Sequence, residues 1–118
     1  MLELHRLFAN ALVLYFLLVG LWGLFLALRR SPVDPAYRAT LYISLALGVV
    51  QALIGLTLVL TGLRPRDDLH YLYGLSVIVT LPLVQQYLTR RRVSQPLVYG
   101  LACLFMCGLA IRGITTGG

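Results

Sequence analysis

Charged residues are scarce in this chain: Asp, Glu, Lys and Arg make up 12% of 118 residues, about half the quarter typical of a soluble domain. A water-soluble fold of this size needs a polar exterior, and the residues to build one are missing. Lysine is absent; all ten basic residues are arginine. They cluster between apolar runs, so the net charge of +6 reads as membrane topology and not as a nucleic-acid footprint. No aromatic-basic interleaving is present, and no nucleic-acid partner is expected. Catalytic groups are also sparse. The one glutamate is Glu3, no carboxylate lies inside an apolar run, and there is no Ser/His/Asp set or glycine-rich phosphate loop. A transporter would show a charged or broken helix at the midplane, and none is evident. The two cysteines, Cys103 and Cys107, are four residues apart. On one helix face their Cβ atoms would be roughly 5–6 Å apart, outside normal disulfide geometry. They read as small apolar residues packing against a neighbour.

What the chain has is apolar length. Mean hydropathy is +0.86, and four runs stand out: Leu7–Leu28, Ala39–Leu63, Leu69–Thr89 and Val93–Ile111. None contains Asp, Glu, Lys or Arg. Each has about the 20 residues with which a helix crosses about 30 Å of hydrocarbon. Strands of a membrane barrel would be half as long and would alternate in polarity. The expectation is an all-α, integral membrane, four-helix up-down-up-down bundle forming a single domain over 1–118, with helices at about 6–28, 38–63, 69–89 and 95–112. Leu7–Leu28 is too long for the apolar core of a signal peptide, and no small-x-small cleavage site follows it.

Short connections force neighbouring helices to be antiparallel. Pro32 and Pro35 stop the first helix and open the second. Asp67 and Asp68 are placed to cap the third. Arg29, Arg30, Arg38, Arg90, Arg91 and Arg92 lie on one side; Arg6, Arg64, Arg66 and Arg112 lie on the other. The first side is therefore expected to be cytoplasmic, with both termini outside, in a bacterial inner membrane. Gly48, Ala52 and Gly55 in helix two, and Gly100, Ala102 and Gly108 in helix four, would let backbones approach. Pro82 would kink helix three. Tyr37, Tyr42, Tyr71, Tyr73 and Tyr87 sit near run ends, as an interfacial belt does.

Only two histidines are present, His5 and His70, each in the first turn of a run. Helices one and three point the same way, so both imidazoles lie on one side at similar depth. Across the diagonal of a four-helix bundle the axes stand roughly 11–14 Å apart. That gap suits two imidazoles binding a metal from opposite sides, and a haem with two axial histidines fits such a slot. Ala9 and Gly74, each one turn after a histidine, would leave room for a porphyrin edge. Arg6, Arg64 and Arg66 at the same mouth would pair with propionates. The plainer alternative is two interfacial histidines whose amphipathic rings suit that depth. Gln51 reads first as a hydrogen bond to a facing helix and second as a contact to a ligand.

These residues resemble a known family. His5-Arg6-Leu7-Phe8-Ala9-Asn10 is similar to the histidine-arginine helix opening of heme A synthases. Gln51-Ala52-Leu53-Ile54-Gly55 resembles that family's glutamine-x-x-leucine/isoleucine-glycine helix, and His70 with Gly74 resembles its second haem-ligating histidine. The resemblance covers about residues 3–90 and fits one four-helix half of a two-bundle enzyme. It implies that His5 and His70 are axial haem ligands near the outer face. Two departures matter. Glu3 stands two residues before His5 where catalytic halves place a glutamate a full turn before, and the outer-loop cysteine pair and second bundle are missing. The resemblance thus implies a single b-type haem bundle, used in membrane electron transfer or haem binding, more a subunit than an enzyme on its own. Expected partners are membrane lipids with other membrane subunits or a second copy. The alternative is a haem-free accessory subunit of a larger respiratory or photosynthetic complex.

Overall fold

The computed structural model describes residues 2–90 and 93–117; Arg91 and Arg92, which entered the topology count, lie outside them. Four helices follow in order: α1 (Leu2–Leu28), α2 (Pro35–Leu60), α3 (Leu69–Leu88) and α4 (Gln95–Gly117). All four are long and apolar enough to cross a membrane. Asp34 caps α2 by accepting the Tyr37 backbone N–H at 2.7 Å, with Pro35 at the first helical position, where a missing N–H costs nothing. At α3 the cap differs from expectation. Asp67 accepts from Leu69 N at 3.0 Å, whereas the side chain of Asp68 makes no capping bond. Pro82 lies inside α3, which continues through it.

The helices form a four-sided bundle 48 Å long and 25 by 21 Å across. α1 packs on α4 and α2, and α3 packs on α4 and α2. That leaves α1 and α3 on one diagonal, with no backbone contact between them among the described residues. The core is apolar and the outer faces are apolar too, as contact with hydrocarbon requires. Leu14, Leu18, Leu21 and Phe25 of α1, with Leu53, Leu56 and Leu60 of α2, face outward. Phe16, Tyr37, Ser44, Cys103 and Met106 are fully enclosed.

The tightest seam is α1 against α4. A Cβ on Gly100 would lie 2.9 Å from Leu24 N, 3.0 Å from Gly20 O and 3.1 Å from the Gly23 carbonyl carbon. Without hydrophobic drive between helices in lipid, such close backbone approach supplies the packing. Gly100 is the packing residue that its sequence position implies, and Gly20 and Gly23 are its partners on α1. Gly108 has open space where a Cβ would stand, so it belongs to the outer surface of α4. The cysteines behave as small core residues: both are free and buried, and Cys107 Sγ donates to Val13 O at 3.5 Å.

Tyr37 corrects the interfacial-belt expectation. It is fully buried, donates its hydroxyl to Val19 O at 3.1 Å and stacks edge-on with Trp22 at 5.0 Å. The bare Gly23 beside its hydroxyl provides the room. Tyr42, Tyr71 and Tyr87 are exposed as a belt requires. Tyr37→Phe is expected to cost about 1 kcal/mol, the net value of one buried hydrogen bond. A denaturant titration in mild detergent reads it, and an unchanged midpoint would show that the hydroxyl contributes nothing.

Candidate functional site

The first turns of α1 and α3 bring His5 and His70 together at one mouth of the bundle. Their ring centroids are 6.0 Å apart with planes at 67°. The bundle diagonal creates this pairing: two parallel helices, each with a histidine in its first turn, present both rings to the same interior. Each ring is half-buried and is seated by a neighbouring helix.

His70 rests on the last turn of α4. Its Nδ1 lies 2.8 Å from Gly113 O. A carbonyl only accepts, so Nδ1 carries the proton and Nε2 presents a lone pair. Gly117, one turn on, stands so near that a Cβ would meet His70 Cε1 at 3.0 Å. The α2–α3 turn fastens the same helix end: Asp67 N donates to Thr116 O at 3.0 Å and Arg66 Nη2 to Thr115 O at 2.9 Å. A helix leaves its last four carbonyls without internal partners, and these bonds satisfy two of them.

His5 rests on α2. Gln51 Nε2 donates to the His5 backbone carbonyl at 2.8 Å, the facing-helix bond expected of it. Gly55, one turn on, would place a Cβ 3.1 Å from His5 Cε1. Among the described residues, two buried polar atoms here have no hydrogen-bond partner: His5 Nδ1 and Gln51 Oε1.

The structure therefore gathers His5, His70 and Gln51 of the expected site. Arg6, Arg64 and Arg66 lie at the same end of the bundle on its exposed rim, with Arg66 committed to the α4 carbonyl and Arg112 stacked over Tyr73 at 5.6 Å. Gly74 is exposed and meets nothing within 4 Å, and Ala9 is half-buried. The glycines that touch the imidazoles are Gly55 and Gly117. Gly55 was legible as a small packing residue; Gly113 and Gly117 were not, because the helix was expected to end at about residue 112.

The donor set is suited to a metal that brings most of its own ligands. Among the described residues no three His, Cys, Asp or Glu side chains converge, whereas an all-protein transition-metal site needs three or four. Two imidazoles are what a macrocycle that brings four donors of its own leaves to the protein. His5 and His70, with the Nδ1 of His70 engaged by a carbonyl, are the residues that would hold a haem at this mouth.

Fold and site together define a class: an integral membrane four-helix bundle with an edge-to-face histidine pair at one mouth. No family model and no solved structure matches the chain. It is similar to the Heme A synthase of Rhodopseudomonas palustris (strain TIE-1), with 28% identity over 116 residues. The match covers 94% of this chain and 30% of that protein, so the chain spans less than a third of the relative it matches.

Proposed function

We propose that this protein holds a b-type haem between α1 and α3, with His5 and His70 as axial ligands, and serves membrane electron transfer or haem binding. The observation that carries the proposal is the 6.0 Å histidine pair with Nε2 of His70 left free by the Gly113 bond. Similarity to a Heme A synthase supports a haem-related role. The synthase reaction itself is not proposed, because the match covers 30% of that protein.

Haem would supply a one-electron iron couple. The chain's own residues do the holding. Gly113 O accepts the Nδ1 proton of His70, fixing the ring and raising its basicity as a ligand. Arg6, Arg64 and Arg66 rim the same mouth, and guanidinium groups there would pair with propionates. The arginine distribution favours both termini outside in a bacterial inner membrane, which sets this mouth at the outer face. Its exposed apolar helix faces would work with membrane lipids and with other membrane subunits or a second copy.

A dithionite-minus-air difference spectrum of the chain purified in detergent, after expression with haem supplied, tests this. A reduced b-type band at about one haem per chain is the expected result. A flat spectrum from well-folded protein would sink the haem reading and leave a haem-free accessory subunit of a larger membrane complex.

A further inference from the structure

The two histidines are seated in parallel ways, each by residues four apart on a neighbouring helix. His70 has Gly113 and Gly117 of α4; His5 has Gln51 and Gly55 of α2. In each pair the second residue is a bare glycine under the ring, and the first makes the hydrogen bond. The seats differ in one respect. At His70 the bond reaches the ring nitrogen itself. At His5 the Gln51 amide N–H bonds the backbone carbonyl at 2.8 Å, while ring Nδ1 and amide Oε1 are both buried and unpartnered.

Those two atoms are complementary. An amide oxygen only accepts, and a neutral imidazole donates from whichever nitrogen carries its proton. Burying both without a bond is costly, and such groups in native proteins are met by each other or by a bound water. We infer that Gln51 is the positioning residue of His5: Oε1 receives the Nδ1 proton, directly or through one water, and so leaves Nε2 as a bare lone pair. Gln51 thereby holds His5 at two points, main chain and ring, and gives it the same tautomer that Gly113 gives His70. The purpose of this arrangement rests on the haem reading above; its geometry does not.

The test needs no haem. Nitrogen-15 spectra of histidine-labelled protein in micelles, at alkaline pH where both rings are neutral, report each ring's tautomer. With only two histidines in the sequence, a His70→Ala sample assigns the signals. In the unmodified chain both rings are expected as Nδ1–H. In Gln51→Met the His5 ratio is expected to move at least about fivefold toward Nε2–H, the scale of one lost hydrogen bond, while His70 stays unchanged as an internal reporter of the fold. Nε2–H at His5 in the unmodified chain would overturn the inference without any variant. So would an unmoved His5 in Gln51→Met, or a His5 change matched by an equal one at His70. Nδ1–H at His5 with a flat difference spectrum would keep the role of Gln51 and remove the haem. A haem band with Nε2–H at His5 would do the reverse.

Discussion

Replacing His70 by alanine is expected to abolish the reduced b-type band, and replacing His5 to do the same. On the proposed haem reading each imidazole is a ligand, and the sequence holds only these two histidines. The loss should exceed the roughly 10–100-fold cost of disturbing an outer-shell partner. The fold should survive either change. His70 contributes one hydrogen bond to an α4 terminus that Asp67 and Arg66 also hold, and Phe16, Met106 and the Gly20–Gly100 seam lie elsewhere in the bundle. Measuring the band and the unfolding midpoint on the same samples separates ligand loss from unfolding. A band of unchanged intensity in both variants would remove the histidines from haem binding altogether.

Gly100→Ala is the second large effect. The added methyl would press on backbone atoms of Leu24, Gly20 and Gly23 at 2.9–3.1 Å, and backbone cannot turn aside as a side chain can. α1 and α4 must separate, at a cost of about 1–3 kcal/mol from overpacking. Gly108→Ala in the same helix meets open space and is expected to be close to neutral. Midpoints from denaturant titration of the two variants should therefore differ clearly. Equal shifts would mean that glycine content of α4, and not the seam with α1, sets its stability.

Much of the fold was legible because membrane helices announce themselves by length and hydropathy. The turns were legible because Pro32, Pro35 and the Asp67–Asp68 pair have few other uses beside an apolar run; the cap by Asp34 was not read. The histidine pairing was also within reach, since short loops fix helix direction and direction fixes the shared mouth. What could not be read is what depends on a partner helix. Tyr37 looks interfacial in sequence and lies in the core only because Gly23, on another helix, vacates the space. Residues 113–117 are rich in glycine and threonine, which favour a helix weakly. They are helical because Asp67, Arg66 and His70 take up their carbonyls. Gly55 could be recognised as small, but nothing in α2 alone says that an imidazole from α1 would lie on it.

The seating of each imidazole on a foreign helix has a consequence for assembly. His5 needs α2, His70 needs α4, and the two rings meet only when α1 and α3 have closed across the diagonal. The pair therefore exists as a pair only in the fully docked bundle. A ligand that requires both rings binds that state alone, so it raises the population of the complete bundle by mass action. Its capture marks the moment at which all four spans have found one another.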